Sequence, residues 1–316
     1  MRPLCALLLA LSVTAAAAQE VAVIPSQNAG AVSFLDAGTG SIRATVPLPG
    51  KPAAVAVDGP RVRAYVVAVE PGRLHVLDLL SAQTLRVMDL PGAPFGVAVN
   101  PVSGLVYVSD WQAAQLLEID PAAGEVLRRF ATGPAPSGIA VSDDGALLVT
   151  AERDADSLGL IDTATGATLA QVAVGAHPFG VTLHAGRAFT ADVMGNTVSV
   201  VDLDSRSLIA TIPVGERPYA IAFAAGKGFV TNQYGESVSV FDAGSLEVLA
   251  TVTVGEYPEG IATTADGGRI LVANWFSDTL SILDAQSLAL QGEVALPEGP
   301  AALAPSSAPR RELTPP

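Results

Sequence analysis

The sequence is poor in the residues that carry most protein chemistry: one cysteine, three histidines and two tryptophans among 316 residues. The cysteine, Cys5, falls inside "MRPLCALLLALSVTAAAAQE", where Arg2 precedes an apolar run over residues 4–13 and the small-residue site Ala16-Ala17-Ala18. That arrangement predicts a secretory signal peptide cut near Ala18, with an apolar run too short to span a bilayer. The mature chain then has no thiol, which excludes disulfides, thiolate metal centres and covalent CxxCH haem attachment. No later segment offers 18 apolar residues in a row, so no membrane span is expected. Basic residues are also few. Beyond residue 18, 16 Lys and Arg face 31 Asp and Glu, a net charge of −15 with no basic cluster. Such a field repels phosphate backbones, so nucleic acid is not an expected partner. The sequence has no G-x-S-x-G, no H-E-x-x-H and no phosphate-cradling glycine loop.

Helix-period patterning is scarce too. What fills the chain instead is alternating valine-rich runs of about 5 to 7 residues, punctuated by Gly and Pro, which read as strands. The runs recur in register. A turn proline falls at Pro52, Pro94, Pro136, Pro178, Pro218, Pro258 and Pro300, and a strand-ending aspartate at Asp36, Asp78, Asp120, Asp162, Asp202, Asp242 and Asp284. Both series step by 42, 42, 42, 40, 40 and 42 residues. The shortening by two falls in the first hairpin loop, where "AVNPVSGLVYV" gives way to "TLHAGRAFT". A period of 40 to 45 residues holding four short strands is the mark of a propeller blade. The expected fold is therefore all-β, a seven-bladed β-propeller over residues 19–305. Residues 20–50 supply strands B, C and D of one blade and "GPAALAP" supplies its strand A, so the ring is closed by joining the two ends. Residues 306–316, polar and Pro-rich, are expected to form a disordered tail.

The units "GFVTNQYGESVSVFDAGSLEVLATVTVGEYPEGIA" and "ILVANWFSDTLSILDAQSLALQGEVALPEGPAALA" resemble the YVTN repeat, with its Y-V-T-N-like strand end, T-V-S-V-I-D strand and V-G-x-x-P-x-G-I-A turn. Seven matching registers make the chain similar to the YncE-like family. That resemblance implies an exported, periplasmic seven-bladed propeller, some members of which are found beside pyrroloquinoline-quinone-dependent catabolism. It implies no activity. The first blades depart from the pattern: "YVVAVEPGRLHVLD" lacks the asparagine.

In an antiparallel blade the B–C and D–A loops emerge at one end. Phe95, Trp111, Phe179, Tyr219, Tyr234, Tyr257, Trp275 and Phe276 all fall there, half of the 16 aromatic residues, with Arg153, His177 and Arg217 beside them. Aromatic and arginine residues on loops are the composition of a recognition surface; the alternative is that they plug the channel mouth. A second register, Ser26, Ala68, Asp110, Glu152, Asp192, Asn232 and Asn274, places side-chain oxygens at strand-B ends. Asp110, Glu152 and Asp192 could ligate a hard cation such as calcium. The competing reading is that they bond their own turns, as the strand-C aspartates are also expected to do. His75 lies in a strand and His184 in a hairpin, which leaves no histidine cluster for zinc.

The expected function is a non-catalytic, monomeric exported propeller that binds a periplasmic protein or small ligand through its B–C/D–A face and needs no cofactor. The alternative is a metal- or quinone-linked accessory or enzyme of periplasmic redox catabolism, using Asp110, Glu152, Asp192 and His177.

Overall fold

A computed structural model describes residues 19–308. The expected signal peptide, including Cys5, and residues 309–316 lie outside the described residues. The chain forms seven four-stranded antiparallel sheets, and the one helical element among the described residues is a single 3-10 turn, Arg153–Ala155. It is a seven-bladed β-propeller. Blades 1 to 6 are residues 52–89, 94–131, 136–173, 178–213, 218–253 and 258–295, each running from strand A at the axis to strand D at the rim. No helix among the described residues is long and apolar enough to cross a membrane.

Blade 7 is made from both ends of the chain. Strands β1 (Gln19–Ser26), β2 (Ala31–Asp36) and β3 (Ser41–Pro47) are completed by a C-terminal strand, Ala304–Ala308, paired from Gln19↔Ala308 to Val23↔Ala304. A separate bridge, Ser26↔Pro300, and the bond from Ala301 N–H to the Pro25 carbonyl (3.0 Å) extend this pairing toward the D–A turn. The closing strand thus reaches Ala308, three residues past the end expected from the repeat, because the backbone of 306–308 finds partners on β1 that composition alone does not reveal.

Each blade is too thin to have a core of its own, so burial occurs between blades. Seven apolar clusters fill the seven interfaces. Val21, Val23 and Phe34 of blade 7 pack with Val62, Val66 and Leu77 of blade 1, and Tyr107 and Phe130 of blade 2 pack with Leu148 and Ile161 of blade 3. Burial of this kind makes each blade's stability depend on its two neighbours. The short A–B hairpins of blades 4 and 5 turn at Ala185-Gly186 and Ala225-Gly226 with positive φ at both residues, the primed turn that a two-residue loop requires. This is the two-residue shortening seen in the repeat.

The seven strand-C aspartates are turn formers. Thr39 N–H donates to Asp36 (2.8 Å), Ala122 and Ala123 to Asp120 (2.8 and 3.0 Å), and Gly244 and Ser245 to Asp242 (2.9 and 2.7 Å); the other four follow suit. Hydrogen bonds from Thr165 hold the Asp162 carboxyl below the usual carboxylate range, and those from Ser245 do the same for Asp242.

Candidate functional site

Two concentric rings of residues define the end of the propeller where the D–A turns and B–C loops meet. The inner ring is the residue after each turn proline: Ala53, Phe95, Ser137, Phe179, Tyr219, Glu259 and Ala301. In blades 1 to 6 the strand-A register shifts directly after the proline, as between Pro136 and Ile139 or Pro258 and Ile261. The bulge puts an extra residue in strand A and re-aims a side chain toward the mouth. The next position is Gly in four blades because neighbouring strands A nearly touch: a Cβ on Gly138 would sit 2.4 Å from the Phe179 carbonyl oxygen.

The outer ring lies where each strand B passes into its B–C loop: Gln27, Val69, Trp111, Arg153, Val193, Gln233 and Trp275. Its amides bond the carbonyl of the residue before the turn proline, as from Trp111 to Ala93 (2.9 Å), Val193 to His177 (3.0 Å), Gln233 to Arg217 (2.9 Å) and Trp275 to Tyr257 (2.9 Å). The pre-proline residue is held left-handed in Lys51, Ala135, His177, Arg217, Tyr257 and Gly299. A side chain of the preceding blade clasps several of them, with Asp156 accepting from His177 N–H (2.8 Å) and Asn196 from Arg217 N–H (3.0 Å). Hydroxyls stitch the inner ring across blades: Ser109 Oγ donates to the Ser137 carbonyl (3.0 Å) and Thr231 Oγ1 to the Glu259 carbonyl (2.9 Å).

On this frame the structure gathers the predicted aromatics into two groups. Trp111, Phe95, Phe179 and Tyr219 form a chain of rings across the mouth at centroid spacings of 5.3, 5.4 and 4.3 Å, with the Arg153 guanidinium over Trp111 at 5.2 Å. Tyr234, Tyr257, Trp275 and Phe276 form the second group at 4.6 to 5.8 Å, with Arg217 over Tyr234 at 5.3 Å. Arg217 also reaches Met194 Sδ. Tyr234 and Phe276 are 53% and 59% exposed, so this group reaches into solvent. His177 is half-buried and stacks on none of these rings.

The groups meet at a mouth cavity of about 390 Å³ lined by Phe95, Tyr219, Tyr257, Trp275, Phe276, Gln27 and Glu259. Below it the channel between strands A is a cavity of about 210 Å³, walled by Gly96, Gly138, Gly180 and Gly260 among others. Glu259 is the residue the aromatic pattern did not single out. It is 9% exposed, and its one side-chain hydrogen bond among the described residues is accepted by Oε1 from Gln233 Nε2 at 2.8 Å. The signal was present in the repeat: Glu259 is the single charged member of the inner register. Burial pushes its carboxyl up to about 8, with the Gln233 amide pulling the other way. Burial, reinforced by Tyr234, pushes the Tyr257 phenol up to about 12.

The raised carboxyl has a sign-definite consequence for stability. The folded protein keeps a proton that the unfolded chain releases above about pH 4.5, so stability falls as pH rises toward 8. The expected slope is roughly 1 kcal/mol per pH unit over that window. Glu259→Gln keeps a neutral hydrogen-bonding group and is expected to flatten the slope, measured by urea unfolding at pH 5, 6.5 and 8. Equal slopes in the two proteins would place the carboxyl in contact with water.

The candidate cation ligands do not converge. Asp110 accepts from the Ala93 and Ala113 amides and Gln115 Nε2 (3.0, 3.2 and 3.0 Å). Glu152 accepts from the Gly133 amide, Ser157 and Gln171 (2.7, 2.6 and 2.9 Å). Asp192 Oδ2 accepts from Thr197 and Ser199 (both 2.8 Å), while its Oδ1 is buried without a partner. Burial pushes the Asp192 carboxyl up to about 6 despite those two hydroxyls. Each packs against the glycine of its own D–A turn, where a Cβ on Gly92, Gly133 or Gly175 would meet a carboxylate oxygen at 2.0 to 2.6 Å. Among the described residues no three His, Cys, Asp or Glu side chains are grouped closely enough to hold a metal ion. His75 is buried in its strand and His184 stacks on Phe223 at 4.2 Å, both away from the mouth.

No protein-family model matches the sequence, and no curated protein matches it. Solved structures do. A functionally unknown protein from Desulfotomaculum acetoxidans DSM 771 superposes with a TM-score of 0.80 at 15% identity, covering 91% of this chain and 99% of that one. Dihydro-heme d1 dehydrogenase NirN, solved in complex with DHE, gives 0.66 at 18% identity, covering 91% and 75%. Kuenenia stuttgartiensis hydrazine synthase gives 0.72 at 15% identity, covering 80% and 89%. At these identities the likeness is one of fold, and the fold it shows is the seven-bladed β-propeller.

Proposed function

We propose that this protein is an exported, non-catalytic binding propeller, YncE-like in kinship, that takes a small ligand at the mouth formed by its D–A turns and B–C loops. The observation that carries the reading is the mouth cavity itself, where two groups of aromatic rings in tilted and edge-to-face contact meet around one buried carboxyl. A pocket of a few hundred Å³, mostly apolar and aromatic with few polar groups, is the usual form of a small-molecule site. The leader-like N-terminus, with Arg2 ahead of an apolar run and a small-residue site, supports export to the periplasm. A redox reading would draw on two of the fold neighbours, dihydro-heme d1 dehydrogenase NirN and hydrazine synthase. Its candidate ligands Asp110 and Glu152 already use their carboxylate oxygens within their own blades, so the geometry does not favour it.

The test uses the mature protein equilibrated with periplasmic extract, washed, and denatured to release bound compounds for mass spectrometry. A compound is expected on the wild type and absent from a Tyr257→Ala, Trp275→Ala, Phe276→Ala variant of matched thermal stability. Identical loads on both proteins, or none on either, would remove the mouth as a ligand site.

A further inference from the structure

The class of that ligand follows from how Glu259 is placed. It sits on the second residue of the strand Pro258–Thr263, fixed from the preceding blade by two contacts: Thr231 holds its carbonyl and Gln233 its carboxyl. Oε1 is used by Gln233. Among the described residues no side-chain hydrogen bond is made by Oε2, and the carboxyl lines the mouth cavity. A buried carboxyl held by a single amide, and paired with no cation among the described residues, costs free energy that the fold alone does not recover.

Among the described residues the rings around it likewise have no cation over them. Arg153 and Arg217 cover Trp111 and Tyr234 at the rim, whereas Tyr257, Trp275 and Phe276 beside Glu259 carry no guanidinium or ammonium over their faces. Aromatic faces and a carboxylate share one preference, for a weakly hydrated cation, and a strongly acidic chain raises the local concentration of such cations. Resting on the small-ligand reading above, we infer that the mouth cavity is a recognition site for an organic ammonium ion, its charge against Glu259 and its alkyl groups against Tyr257, Trp275 and Phe276.

Proton linkage is built into such a site. The titratable groups that face Glu259 are Tyr219 and Tyr257, and burial keeps both phenols protonated well past neutrality. Arg217, a basic side chain on this rim, acts on Tyr257 and stacks on Tyr234. Binding a cation at neutral pH therefore means expelling the Glu259 proton, whose ordinary range burial has shifted upward. Affinity rises as pH approaches 8.

The experiment is calorimetric titration with choline, which cannot lose its charge, and with its neutral isostere 3,3-dimethylbutan-1-ol, at pH 6.5 and 8 and in two buffers of different ionisation enthalpy. Choline is expected to bind, to release close to one proton at pH 6.5, and to bind at least tenfold more tightly than the isostere. Glu259→Gln is expected to abolish the proton release and weaken choline tenfold or more while leaving the isostere unchanged. Equal binding of both probes, lost together in Trp275→Ala, overturns the cation assignment but keeps the mouth as a small-ligand site. Choline binding unaffected by Glu259→Gln also overturns it. So does the failure of choline to bind, in which case the extract experiment alone decides whether the mouth takes a ligand.

Discussion

Gly138→Ala is expected to cost about 3 kcal/mol or more of unfolding free energy, the effect of overpacking at a site that cannot yield. The backbone of Gly138 is not left-handed, so alanine suits its conformation. The cost is one of space: the added methyl would lie 2.4 Å from the Phe179 carbonyl oxygen, 3.0 Å from the Val181 nitrogen and 3.2 Å from the Gly180 Cα. All three are backbone atoms of the next blade's strand A, and none can rotate away. Moving that strand means moving its neighbours, because Gly180 is packed just as tightly on the Tyr219 carbonyl oxygen, at 2.3 Å. Gly292→Ala is the control. It lies in an outer strand D with no atom within 4 Å of a built Cβ, and is expected to change stability by under about 0.5 kcal/mol. Thermal unfolding of the two variants is expected to separate them by roughly 5 °C. A Gly138→Ala protein as stable as the control would mean that the strands at the axis can move apart, and that the small channel beneath the mouth can widen with them.

That clash also marks what the sequence reveals and what it withholds. Two residues after each turn proline the sequence repeats Ala54, Gly96, Gly138, Gly180, Ala220, Gly260 and Ala302, and strands converging on an axis leave room for little larger. The aromatic end could be seen for the same reason, since the D–A and B–C loops of an antiparallel blade must share an end. Repetition also explained the strand-C aspartates, whose turn hydrogen bonds are local. Contacts between blades were not legible. That Phe95 reaches Phe179 two blades away, or that Gln233 holds Glu259, depends on bulges and on the lateral spacing of sheets, neither of which has a period in the chain. Asp110, Glu152 and Asp192 share a register but not a location, since each serves its own turn. A register common to seven blades reports structure. The member that breaks it, a lone acid among alanine, serine and aromatics, marks the candidate site.

Deleting residues 300–316 is expected to have a larger effect than any of these substitutions, costing most of the roughly 5 to 15 kcal/mol that stabilises a domain. The deletion removes only the inner strand of blade 7, but that strand is the closure. It strips β1 of its five paired positions and of the Ala301–Pro25 bond, and leaves an unpaired edge at the axis. Leu303 also leaves the cluster it forms with Ala22, Leu35, Ala262 and Leu271, so the interface between blades 6 and 7 opens. In a ring whose burial lies wholly between neighbours, one open interface exposes two blade faces at once. The shortened protein is therefore expected to unfold at a much lower temperature than Gly138→Ala and to aggregate through its new edge. A synthetic peptide of residues 300–308 should restore the thermal transition in a concentration-dependent manner, by adding back the missing strand. Removing only residues 309–316 should change little, as all of the described pairing between the C-terminal segment and β1 lies within residues 300–308. A protein ending at residue 299 that melted like the full chain would show that six blades hold without the seventh, and that closure contributes little to the stability of the ring.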